Sequence, residues 1–158
     1  TAVVLDEGYL PQAFRLSGKG EPFAADVSDP FELFSGLLDD HLQPLSQALS
    51  SQVKLSPKVL WSNAGNYFEN LLNLMARAGM PAERLAAGHV LLQTRIRPDG
   101  SRNPLFQPVQ YLPVNDEQGQ PTLRRERKVC CVRSLLPELE LCGNCPLKVR
   151  PPGKAACV

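Results

Sequence analysis

Arg127-Lys128-Val129-Cys130-Cys131-Val132-Arg133-Ser134-Leu135-Leu136-Pro137-Glu138-Leu139-Glu140-Leu141-Cys142-Gly143-Asn144-Cys145-Pro146-Leu147 is the stretch on which the reading of this chain turns. It holds four of the five Cys, and residues 1–129 hold none. A disulfide framework would spread its bridges to tie distant loops together. Four thiols crowded into residues 130–145 point instead to a local ligand set. In Cys142-Gly143-Asn144-Cys145 two thiolates can face one metal, and Gly143 permits the tight turn. Four thiolates suit an iron–sulfur cluster or a structural zinc. The adjacent pair Cys130-Cys131 favours the former. Neighbouring side chains of an extended chain point to opposite sides, which is awkward around one small tetrahedral ion. A Rieske centre needs two His ligands, and His41 and His89 both lie far from the Cys segment.

Upstream, the segment is delivered by a predicted hairpin. Phe106–Val114 and Thr122–Val129 read as strands around a turn at Asn115–Pro121, so Cys130 falls at a strand end. Residues 130–146 then read as an irregular loop. Further back, Asp29-Pro30 is a helix start with Asp29 as N-cap. Phe34, Leu38, Leu42, Leu45 and Leu49 recur at helical spacing, with Pro44 expected to kink or divide the helix. Ser56-Pro57 starts a second helix whose apolar stripe is Trp61, Ala64, Phe68, Leu71, Leu72 and Met75. Gly79 ends it, and Pro81 opens a short third helix that finishes near Gly88. His89–Arg97 reads as a strand leading into a turn at Pro98-Asp99-Gly100. At the N-terminus, Ala2–Leu5 and Tyr9–Leu16 read as short strands before a turn at Gly18-Lys19-Gly20. The expected fold is α+β: amphipathic helices packed on a small, mostly antiparallel sheet, with a C-terminal Cys-rich loop. Residues 1–147 form one domain in this reading, and 148–158 a loosely ordered tail carrying Cys157 as a spare thiol.

Composition narrows the function classes. Hydrophobic residues make up 43% and charged residues 21%, which excludes a disordered or fibrous chain. Net charge is +1, from 17 basic and 16 acidic residues, so no global electrostatic case for nucleic acid exists. Pro, at 15 of 158 residues, is nearly twice its usual ~5%, which predicts short elements with stiff connections. No apolar run approaches the ~18 residues of a membrane span. Thr1–Glu7 has neither the basic nor the apolar region of a secretory signal. A start without Met is expected of a chain that begins inside a longer gene product. Neither GxGxxG nor GxxxxGK[ST] occurs, so there is no signal for a nicotinamide, flavin or nucleotide site. Asp39-Asp40-His41 reads as a solvated helix face, and Asn63 as a residue that caps or bonds the backbone locally.

These residues resemble the siderophore-iron reductases of the FhuF type. The resemblance rests on Cys130-Cys131, ten residues, then Cys142-x-x-Cys145, with Arg127-Lys128 before and Pro146-Leu147 after. Leu60-Trp61-Ser62-Asn63 followed by Gly65, and Asn103-Pro104-Leu105 followed by Phe106, are similar to two further segments of that family. The likeness covers roughly residues 30–147, and members usually carry a longer helical N-terminal region. It implies that Cys130, Cys131, Cys142 and Cys145 ligate a [2Fe–2S] cluster. It also implies a cytoplasmic protein that reduces the iron(III) of imported ferric siderophores to iron(II). Electrons would then arrive from a separate donor such as a ferredoxin or flavin reductase. Arg125, Arg127 and Lys128, in the run 124–128, would raise the cluster's potential or dock an anionic siderophore or an acidic donor. The other reading of the run is a solvated strand with alternating charged side chains, and strand alternation places only half of it on the cluster side. Trp61 reads as core packing, with a place at the substrate surface as the other possibility. Two readings stay open beside the reductase: an interaction module with a structural zinc on the four cysteines, and a siderophore-binding domain without reductase activity.

Overall fold

The computed structural model describes residues 2–7, 11–15, 18 and 27–148. The architecture is α+β, with helices accompanied by two separate antiparallel ribbons. Strands β1 (Ala2–Leu5) and β2 (Pro11–Arg15) form the first ribbon. Strands β3 (Val109–Asn115) and β4 (Pro121–Arg127) form the second, in register from Val109 opposite Arg127 to Asn115 opposite Pro121. Lys19 and Gly20 of the first expected turn lie outside the described residues, as do the tail beyond Lys148 and Cys157. No helix among the described residues is long and apolar enough to cross a membrane.

The helical region begins where Asp29 accepts from the Phe31 N–H at 2.9 Å, with Pro30 in the first turn. Helix α1 (Pro30–Leu33) breaks at Phe34 and resumes as α2 (Ser35–Leu37). A π turn, Leu38–Leu42, then carries the chain into α3 (Gln43–Gln52), with the Gln43 N–H bonded to the Leu38 carbonyl. The wide turn lies immediately ahead of Pro44. A proline has no N–H for the helical ladder and its ring crowds the preceding turn, so the ladder loosens there. Helix α4 (Pro57–Arg77) is the spine of the molecule, about 31 Å long at 1.5 Å per residue. Ser56 caps its start, and Gly79 at φ +85° closes it, with the Met80 N–H reaching the Met75 carbonyl at 3.0 Å.

Trp61 and Leu72 of α4 pack into one core with Phe31, Leu38, Leu85, Leu91, Leu92 and Leu105, joined at its edge by Ala64, Phe68 and Met75. Phe34 meets Phe68 edge to face, ring centres 5.3 Å apart. Leu71, expected in this stripe, is 53% exposed, and Leu45 and Leu49 also face solvent.

Helix α5 (Ala82–Gln93) runs through Gly88 rather than ending near it. A Cβ at Gly88 would lie 2.8 Å from Leu72 Cδ2, so this glycine permits close approach of two helices and is no stop signal. The expected strand 89–97 is accordingly absent. Leu85, Gly88, Leu91 and Leu92 are buried on one helical face while His89 and Val90 are exposed. Of that strand only a bridge between Ile96 and Arg102 forms, across the turn at Pro98-Asp99-Gly100. Asn103, 2% exposed, then closes α5. Its Nδ2 donates to the Leu91 and Thr94 carbonyls at 2.7 Å each, and its Oδ1 accepts from the Leu105 N–H at 3.0 Å. The Asn-Pro-Leu segment is thus a helix-closing device.

Candidate metal centre

The hairpin is fastened to α4 by a row of polar residues along one face of that helix. Asn63, Asn66, Glu69 and Asn73 are spaced three, three and four apart, so they share one face. Asn63 accepts from the Arg127 guanidinium. Glu69 accepts from Arg125 Nε at 2.7 Å, from Asn73 Nδ2 at 2.7 Å and from the Tyr111 hydroxyl. Arg125 also donates to the Asn66 carbonyl at 2.9 Å. Burial alone would raise the Glu69 carboxyl. The hydrogen bonds from Tyr111, Arg125 and Asn73, with the Arg125 charge, outweigh it and hold the group below its ordinary value. Tyr111 is pushed up by burial and by its bond to Glu69. Behind this face, a Cβ on Gly65 would lie 2.8 Å from Pro108 Cβ, so α4 and the segment leading into β3 touch directly.

The same face reaches the Cys segment. The Arg127 N–H donates to the Asn144 carbonyl at 3.0 Å, and Asn144 Nδ2 donates to Asn66 Oδ1 at 2.8 Å. The turn between Cys142 and Cys145 is therefore held from both the strand and the helix. Within it, the Cys145 N–H bonds the Cys142 carbonyl at 3.1 Å. The Leu147 N–H points at Cys145 Sγ, 3.4 Å away. After Cys130-Cys131 the chain reverses at Val132, a β-branched residue at φ +58°, which is a real backbone outlier.

Cys130 and Cys145 are buried, 3% and 4% exposed, while Cys131 and Cys142 are half-buried. None of the four forms a disulfide. Cys131 Sγ and Cys142 Sγ are 3.8 Å apart. That separation matches the edge of a sulfur tetrahedron around a metal at about 2.3 Å. Burial, then the neighbouring Cys131 and Cys145 thiols, push Cys142 up to about 11. Without a cation beside it Cys142 is a thiol. Among the described residues no three His, Cys, Asp or Glu side chains converge on one ion-sized point.

Arg127 is 4% exposed, donates to one neutral amide, and leaves its Nε without a partner. No carboxylate among the described residues forms an ion pair with it. A buried cation in this state calls for nearby negative charge, which metal-bound thiolates carry. By donor chemistry, burial and charge, the residues present fit a thiolate-held metal group.

The structure gathers Arg125, Arg127 and the four Cys at one end of the hairpin. Lys128 is exposed, with Nζ bonded to Gln107 Oε1 at 2.9 Å. Both Glu126 and Arg127 are buried, so the two faces of β4 are covered here, against the simple alternation expected. Trp61 sits in the helical core. Asn63 bonds Arg127 across the fold, not its own backbone. Asp39 is tied to Arg97, whose Nη2 lies 2.8 Å from both carboxylate oxygens. Sequence reasoning missed Asn66, Glu69, Tyr111 and Asn144. The polar three-and-four spacing on α4 was the available signal for the helical ones.

A helical scaffold whose central helix clamps a hairpin and a four-thiol segment defines the class. The family described as "Ferric iron reductase FhuF-like transporter" matches residues 1–119. The chain belongs to the FhuF family. That match starts earlier than the likeness seen in the motifs, takes in α1–α5 and β1–β3, and stops before the Cys segment. The Escherichia coli (strain K12) protein named ferric siderophore reductase is 29% identical over 150 residues, covering 85% of this chain and 51% of that protein. The chain thus spans about half the length of this relative.

Proposed function

We propose that this chain is the cluster-bearing part of a ferric siderophore reductase, with Cys130, Cys131, Cys142 and Cys145 as ligands of a [2Fe–2S] cluster. The observation that carries the reading is the sulfur pair Cys131–Cys142 at 3.8 Å, on a segment anchored to α4, in a chain of the FhuF family. Such a cluster supplies one-electron chemistry at a modest potential. The substrate's iron(III) is held by hard oxygen donors. One added electron removes a unit of charge from the metal and weakens that hold, so iron(II) leaves and the chelator survives.

The protein's own residues set the conditions. Cys130 and Cys145 hold the buried side of the ligand set, and Cys131 and Cys142 the side nearer solvent. The Leu147 N–H donates toward Cys145 Sγ and draws electron density from it. Arg127 supplies fixed positive charge where the reduced state is the more negative. An external one-electron donor, such as a ferredoxin or a flavin reductase, restores the electron, and iron is released in the cytoplasm. The single-domain extent over 1–147 belongs to the same reading.

The test is anaerobic isolation, then reduction and mixing with ferric siderophores. Reoxidation of the visible spectrum coupled to iron(II) capture is expected. Sulfur–metal geometry of this size also suits zinc, and a colourless protein with one zinc per chain would overturn the reading.

A further inference from the structure

Beside the Cys segment, α4, α5 and β3 enclose an open groove of about 450 Å³. This is within the range of small-molecule sites. Its charges do not balance. Glu69 is neutralised by Arg125 and hydrogen-bonded by Tyr111 and Asn73, which leaves Lys128 as the formal charge without an ion pair among the groove's described residues, with His89 also in its lining. Lys128 Nζ is held by Gln107, and Gln107 is itself unusual. It is a non-glycine residue at φ +43°, pinned by its N–H to the Leu92 carbonyl at 2.9 Å. Backbone held in that region costs free energy and survives where surroundings over-determine it, which is common at ligand clamps. The Lys128 N–H bonds the Pro108 carbonyl at 3.1 Å, fixing the groove wall to the strand that continues to Cys130. Only Val129 separates Lys128 from Cys130, so the two lie at most about 7 Å apart along the chain.

We infer that this groove is the seat of the substrate, and that it takes a negatively charged, oxygen-rich ferric chelate. The inference rests on the reductase reading for the identity of the ligand, not for the existence of the site. Lys128 and the amide side chains donate to the chelate's outward oxygens. Bound there, the iron is presented beside the first two ligand Cys.

Binding is tested without electron transfer by replacing iron(III) with redox-inactive gallium(III). The isolated chain, with its cluster, is titrated calorimetrically with the gallium complex of an anionic citrate–hydroxamate siderophore and with cationic gallium desferrioxamine B. The anionic complex is expected to bind at least tenfold more tightly. Lys128→Glu should lose at least tenfold of that affinity, and Gln93→Trp, which fills the groove from α5, should do the same with the visible spectrum unchanged. Equal affinity for both complexes, or variants that bind like the parent, would overturn the inference and leave the cluster reading intact. A sample that lacks iron and sulfide, yet binds the anionic complex in a Lys128-dependent way, would sink the reductase reading and keep the groove.

Discussion

A guanidinium taken out of water needs compensating charge, and at Arg127 the described residues offer one amide oxygen. Under the cluster reading, metal-bound thiolates provide the rest. Arg127→Gln keeps a side chain that can bond Asn63 and removes the charge. Its cluster should have a lower midpoint potential, on the order of one tenfold step in the reduction equilibrium, about 59 mV. Electrochemical titration measures it, and an unchanged potential would separate Arg127 from the cluster. Glu69 makes a different prediction. Its carboxyl lies below the ordinary 4.5 in the folded protein, so the unfolded chain binds the proton first as pH falls. Its contribution is present above that ordinary value and is lost as pH drops through the lower folded one. Glu69→Gln should therefore flatten the acid limb of stability against pH, measured by denaturant unfolding between neutral and strongly acid solution. An acid limb as steep as the parent's would contradict this. Asn103 stands out in the sequence only as part of a family-like segment. Its three buried bonds could not be read there, because the carbonyls it satisfies belong to a helix end that the sequence pattern places elsewhere. Asn103→Ala orphans two buried carbonyls and should cost about 2–4 kcal/mol by chemical unfolding.

Between elements, the controlling contacts are glycines used as gaps. Gly65 lets α4 meet Pro108, a rigid ring that cannot swing aside. Gly65→Ala gains roughly 1 kcal/mol of helix propensity. The overlap with Pro108 should outweigh it, leaving a net loss of about 1–2 kcal/mol in unfolding free energy. A more stable variant would show that the α4–hairpin seam is slack. Gly88 plays the same role against Leu72, and this explains why the helix boundary there differs from the one the sequence predicts. A glycine in an apolar pattern marks either a stop or a close approach, and only the partner helix decides which. The caps at Asp29 and Ser56, the Pro44 irregularity and the β3–β4 hairpin were legible because each depends on chemistry within a few residues. The polar face of α4 was not, since Asn66 and Glu69 acquire their roles from Arg125, Tyr111 and Asn144, all distant in sequence.

At the scale of the whole molecule, the helical core is a platform and the Cys segment is its cargo. The family match covers the platform, and the spacing of four thiols marks the cargo. The likeness to a redox family was legible from that spacing. The sulfur arrangement was not, because Cys131 and Cys142 are brought together across the reversal at Val132 and the clamp at Asn144. Adjacent thiols on one strand told only that a single small ion would be awkward. Metal and acid-labile sulfide, counted with the visible spectrum on protein kept free of oxygen from lysis onward, bear on that arrangement most directly. The cluster reading predicts two irons and two sulfides per chain, a red-brown colour that dithionite bleaches, and loss of the absorbance in Cys142→Ser. A colourless protein holding one zinc, or thiols joined to each other, would contradict it.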